Sequence, residues 1–188
     1  LDRIIKEKWL TARGVIGFWT AKKIGHDTIV LLDEHGKELT HLESLRQQIK
    51  KAPGQPNVSL ADFIKPYSFG GEHELHDYMG AFAVSIHGIE PYLQQFAADH
   101  DDYSKIMLQA IADRLAEAFA EVLHKRVRTE FWGYDKEEQI PIADLVKEKY
   151  RGIRPAPGYP ACPDHTEKYK LFDLLNATEN AGIQLTES

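Results

Sequence analysis

Between Tyr150 and Phe172 the chain reads YRGIRPAPGYPACPDHTEKYKLF, with four prolines, two glycines, the only cysteine and two arginines. Proline holds φ near about −65° and lacks a backbone donor. Pro155, Pro157, Pro160 and Pro163 therefore brace an extended ribbon with little conformational freedom left to lose. Arg154 is a permanently charged planar fork that matches a carboxylate. Gly158 permits close approach to the backbone, Ala156 adds little bulk, and Tyr159 offers a flat ring or a hydroxyl. This is the composition of a preorganised wall with one anionic anchor, suited to a small anionic or zwitterionic ligand. A proline-rich connector that only routes the chain accounts for the same residues.

Three acids stand out. Asp62 lies inside the apolar LADFI, where a carboxylate needs a partner; a helix N-cap serves that need equally well. Glu117 belongs to the row Asp113, Glu117, Glu121, a spacing more typical of a solvated helix face. Glu148 lies six residues before Arg154. Cys162 and His165 form C-x-x-H, half of a zinc pattern with no second half. His73 and His76 complete no site either, so no metal is expected. A Cys162–His165 nucleophilic pair lacks a marked orienting group and an oxyanion hole. Ser85 and His87 share one strand without making a triad. Gly-rich nucleotide loops, a G-x-S-x-G elbow and HExxH are all absent, and no catalytic residue is expected.

The 188 residues are 43% hydrophobic and 28% charged, with a formal net charge of −6. That balance suits a globular chain and argues against broad binding to a nucleic-acid backbone. No apolar run approaches the roughly 20 residues that span a bilayer, so no membrane partner is expected. One cysteine excludes an internal disulfide and suits a reducing cytoplasm. Both ends read as cuts: LDRIIKEKWL looks like a helix already under way, and NAGIQLTES stops abruptly.

The elements that must position these residues follow from periodicity. Ile4, Ile5, Trp9 and Leu10 predict a helix over 2–11 that stops at Arg13-Gly14. A strand is predicted over Val15–Thr20, and a hairpin with strands at Thr28–Leu32 and from Glu38 around a turn at His35-Gly36. LESLRQQIKK predicts a short helix. KPYSFGGEHELHDY reads as a loop, and MGAFAVSIHG as a buried strand. A helical stretch runs from about Glu90 to Arg128, broken or capped at His100-Asp101-Asp102. Its apolar face is predicted at Ile111, Leu115, Ala118 and Val122. Further helices are predicted over Ile142–Tyr150 and Thr166–Leu175. The class is α+β, with helices around a small antiparallel sheet.

The segment GIRPAPGYPACPDHTEK closely resembles the signature loop of the S-adenosylmethionine-binding activation domain of cobalamin-dependent methionine synthases. The likeness continues through RGVIGFWTA, SLADFI, GAFAVSIHG, HDDYSKIMLQAIADRLAEAFAE, WGY and GIQLTES, in order and over nearly the whole chain. It implies that residues 1–188 form part of such a domain, truncated at the C-terminus, with a C-shaped α+β fold around a bent antiparallel sheet. It maps ligand-binding positions onto Asp62, Glu117, Glu148, Arg154, Ala156, Gly158 and Tyr159. The implied cofactors are S-adenosylmethionine on this chain and cobalamin on a neighbouring domain. The implied partners are that cobalamin-binding domain and flavodoxin or a flavoprotein reductase. The implied role is to position the methyl donor for reductive methylation of cob(II)alamin, with no turnover by the isolated fragment. The alternative is an interaction or scaffold fragment that keeps the fold and has lost the ligand.

Overall fold

The computed structural model describes residues 1–66 and 77–186. The expected loop histidines His73 and His76 lie outside that range. Four strands form a sheet in the order β3-β2-β1-β4: β1 (Thr11–Ile24), β2 (Thr28–Leu32), β3 (Glu38–Glu43) and β4 (Asp77–His87). β1 pairs antiparallel with β2, and β2 with β3. The helical elements are α1 (Asp2–Glu7), a 3-10 turn (Leu60–Phe63), α2 (Glu90–Ala98), α3 (Asp102–Arg126), α4 (Ile142–Leu145), α5 (Glu167–Leu175) and α6 (Ala177–Ala181). A π-helical turn, Val127–Phe131, extends α3. The expected α+β class holds. The chain divides into two compact units.

One unit comprises 16–82, 154–177 and 185–188. Its core is Ala21, Ile29, Leu31, Leu42, Ala61 and Ile64, with Trp19, Leu60, Leu171 and Leu174 packed against it. β2 is the central apolar strand, and Ile29 through Leu32 are all buried. Asp33 builds its turn: its carboxylate accepts from the His35 and Lys37 N–H groups, at 2.9 and 2.8 Å. The expected hairpin is therefore present. The expected helix at LESLRQQIKK is not; that stretch runs without regular structure after β3. Gln47 N–H donates to Val58 O at 3.0 Å, and Arg46 is drawn into side-chain bonds elsewhere. Those bonds outcompete a short helix, whose nucleation is costly.

The other unit comprises 1–15, 83–153 and 178–184. Here α1 ends earlier than expected, because Lys8 takes a left-handed conformation (φ 53°) whose N–H bonds back to the helix carbonyls. Gly14, read as a helix stop, instead lies within β1. A Cβ there would come 3.1 Å from Phe119 and Leu123 side chains, so the glycine serves close packing. Trp9 stacks on Tyr92 with ring centroids 3.8 Å apart. Asp101 caps α3 by accepting from Ser104 N–H at 2.9 Å, as one of the two sequence options required.

The apolar face of α3 differs from expectation. Leu108, Ala112, Leu123 and Val127 are buried, whereas Leu115 is 36% exposed and Val122 54%. Both stripes recur at helical spacing, and periodicity alone does not say which one is covered. The helix expected over Ile142–Tyr150 lasts only to Leu145. Lys149 N–H turns back to Asp144 O at 3.1 Å, and Glu148 takes φ 56°.

The polar centre of this unit is dry. Arg128 and Glu138 pair with both side chains fully buried, Arg128 Nη2 donating to Glu138 Oε1 at 2.8 Å. Arg128 Nη1 also bonds His124 Nδ1 at 2.7 Å, and its guanidinium lies 4.3 Å from the Tyr150 ring centroid. The pair holds the Glu138 carboxyl below its ordinary range through the Arg128 hydrogen bond. Removing one member strands a buried charge. Glu138→Ala is expected to lower the unfolding free energy by about 3–5 kcal/mol in urea titration. A loss below about 1 kcal/mol, the range of an exposed pair, counts against this account.

Candidate functional site

The proline-braced segment forms a tight reversal. Gly158 N–H donates to Cys162 O at 2.8 Å, Cys162 N–H to Tyr159 O at 2.9 Å, and Tyr159 N–H to Ala156 O at 3.0 Å. Gly158 has φ +100°, a backbone state that side chains rarely adopt. A Cβ there would fall 2.2 Å from His165 Cε1. Arg154 is half-buried, while Ala156, Gly158 and Tyr159 are exposed, Tyr159 by 63%. Ala161 O accepts from Leu60 N–H at 2.8 Å, which pins the ribbon to the 3-10 turn. Cys162 is buried. Burial raises its thiol pKa, and the Glu167 and Asp164 carboxylates add to the rise. A thiol so protonated is a poor nucleophile.

The 3-10 turn carries Asp62. Ser59 Oγ accepts from Ala61 N–H at 3.2 Å, and Asp62 Oδ2 accepts from Ser59 N–H at 3.0 Å, which together make a capping box. Arg46 forks onto the same carboxylate: Nη1 to Oδ2 at 2.6 Å and Nη2 to Oδ1 at 2.8 Å. Lys23 Nζ adds a bond to Oδ1 at 3.1 Å. Arg46 also donates to Asp27 Oδ1 at 2.8 Å and to Asn57 O at 2.8 Å. The Arg46 hydrogen bonds, ahead of those from Ser59 and Lys23, hold the Asp62 carboxyl well below the usual carboxylate range. Asp62 raises Arg46 in return.

Asp62 and the ribbon 154–159 thus fall in one unit, joined through the Leu60–Ala161 bond. Glu117 and Glu148 belong to the other unit. Glu117 is exposed and pairs with Arg114 at 2.6 Å, the solvated face that its spacing suggests. Glu148 is exposed in the turn after α4. Sequence reasoning missed Arg46 and Lys23, which lie 16 and 39 positions from Asp62, too far for any spacing rule. Ser59 was missed too, although S-x-x-D is a local signal: the N-cap is Ser59 and not Asp62, which sits at the third position of the capping box.

Other chemistry-bearing groups are modest. Ser85 Oγ lies 2.6 Å from His87 Nε2, since positions two apart share a strand face. Among the described residues no hydrogen bond joins His87 to a carboxylate. A shallow cleft of ≈ 360 Å³ is lined by Glu38, Leu39, Thr40, His41, Glu43 and Lys170, none of them an expected site residue. Among the described residues no group of three or more His, Cys, Asp or Glu is placed to hold a metal ion. No described helix is long and apolar enough to cross a membrane.

A family model described as "Vitamin B12 dependent methionine synthase, activation domain" matches residues 1–188. Among solved structures, the chain is similar to one described as the MetH reactivation domain bound to AdoHcy. The TM-score is 0.87 and the identity 46%, over 99% of this chain and 56% of that one. The chain therefore spans a little over half the length of that relative.

Two outcomes follow from the geometry. The folded Asp62 carboxyl is depressed, so its contribution to stability is complete above about pH 4 and declines only as pH falls further. Asp62→Asn is expected to melt below wild type at pH 7, with a gap that stays constant down to about pH 4 and narrows only under it. A gap that already closes between pH 7 and 5 assigns the effect to another group. Gly158→Ala is expected to cost about 1–2 kcal/mol through its backbone alone. Adding His165→Ala relieves the crowding but not the backbone strain, so only part of the loss returns in denaturant titrations.

Proposed function

Because the chain belongs to the activation-domain family of vitamin B12-dependent methionine synthase, we propose that it binds S-adenosylmethionine and presents the methyl group to a cobalamin carried by another domain. The observation that carries this reading is the ribbon. Arg154 stands half-buried on a proline-braced reversal whose next glycine has neither room nor backbone freedom for a side chain. The relative solved with AdoHcy supports the same ligand class.

S-adenosylmethionine carries a carboxylate, an ammonium and a sulfonium. In this reading Arg154 pairs with the carboxylate, because a guanidinium matches it with two parallel bonds. Asp62 faces the ammonium. Backbone groups of Ala156, Gly158 and Tyr159 meet the adenosyl portion, with the Tyr159 ring available to stack. The assignment of Glu117 and Glu148 to the cationic end rests on the resemblance alone. The cobalamin, once reduced, supplies the nucleophilic metal. The residues of this chain hold the donor in line and need no general base, since orientation accounts for their contribution. The electron comes from flavodoxin or a flavoprotein reductase. The chain alone, in a cytoplasmic setting, performs no turnover.

One observation favours a second reading. The Asp62 carboxylate is already engaged by Arg46, Lys23 and the Ser59 N–H, as it would be in a scaffold that has lost its ligand. Calorimetry with S-adenosylmethionine separates the two. Wild type is expected to bind, and Arg154→Ala to bind roughly ten- to a hundredfold more weakly, the worth of a charge-assisted contact. Equal affinities remove Arg154 from the site. Silence from both chains selects the scaffold.

A further inference from the structure

A carboxylate has two oxygens and about four acceptor positions. On Asp62 four donors fill them. Oδ1 takes Lys23 Nζ at 3.1 Å and Arg46 Nη2 at 2.8 Å, and Oδ2 takes Arg46 Nη1 at 2.6 Å and Ser59 N–H at 3.0 Å. A ligand ammonium that addresses this group must displace a donor already there. Arg46 is the hardest to displace, because the same guanidinium also serves Asp27, Asn57 O and His26 O. Ser59 N–H is backbone, fixed by the capping box. Lys23 makes the longest of the four bonds, through one nitrogen on a flexible stem. It is also an ammonium, the group that the amino-acid end of the ligand presents.

We propose that Lys23 is an internal competitor for ligand: its ammonium holds the Asp62 Oδ1 position that the α-ammonium of S-adenosylmethionine takes on binding. This rests on the proposed function and adds a specificity-setting residue to it. Arg46 keeps the carboxylate aimed and charged throughout, while Lys23 yields. Affinity then reflects the difference between two ammonium groups at one acceptor. A ligand without an amino group leaves Lys23 in place.

The test is calorimetry on this chain with two probes, S-adenosylhomocysteine and 5′-methylthioadenosine, which has no amino-acid tail. Lys23→Met keeps the length of the stem and removes its charge. Its affinity for S-adenosylhomocysteine is expected to rise roughly three- to tenfold, a modest share of a charge-assisted bond, while affinity for methylthioadenosine stays at the wild-type value. Lys23→Arg, which retains a cation, is expected to stay near wild type for both. Should Lys23→Met fail to fold by circular dichroism, Lys23→Gln carries the same expectation. Wild-type binding with equal or weaker binding by the neutral variants overturns the competitor and leaves the proposed function standing. An equal gain for both probes also overturns it, because the effect is then not at the ammonium. Binding by the neutral variants alone supports it in its strongest form, and silence from every chain overturns both readings.

Discussion

The Arg46 guanidinium is the constraint from which the candidate site hangs. It reaches Asp62 with two nitrogens and adds Asp27 and the Asn57 carbonyl. By doing so it ties the turn before β2 and the loop before the 3-10 turn to the 3-10 turn itself. The turn then donates Leu60 N–H to Ala161 O, and the ribbon bearing Arg154, Gly158 and Tyr159 is anchored at its far end. A partly exposed ion pair is worth little as stability. Here its value is positional, because one planar group satisfies acceptors from three separated segments.

Two of the arginine–carboxylate pairs, Arg128–Glu138 and Arg46–Asp62, do different work. Arg128 and Glu138 are sealed from water and backed by His124 and Tyr150. Such a pair gives little net stability yet punishes the loss of either partner. Arg46 and Asp62 stand about a third exposed, at 30% and 35%. Water can replace a lost partner there, and a ligand can reach the carboxylate. Burial therefore separates an ion pair sealed inside its unit from one whose carboxylate stays open to solvent.

Much of the fold was legible from local pattern. The β2–β3 hairpin declared itself through its β-rich strands and the turn at His35-Gly36, and α5 within one residue; β4 was legible as a strand from its apolar run, although most of its residues are half-buried and not buried as expected. The failures share a cause. LESLRQQIKK has good helix formers, but Arg46 is claimed by acceptors distant in sequence. Gly14 reads as a stop, although its missing side chain makes room for Phe119. On α3 two apolar stripes were on offer, and only the tertiary partners choose between them. The site divides in the same way. Pro, Gly and Ser59 signals are local and could be read directly, whereas Lys23 and Arg46 meet Asp62 only through folding. The place of Asp62 among its cations could not come from spacing.

The lone thiol closes the ribbon from within. Cys162 is shielded from solvent beside the reversal, and its proton is held by burial. Alkylating reagents reach it only when the packing that covers it opens. Labelling kinetics at this sulfur therefore clock local opening around the reversal, with no probe to be engineered in.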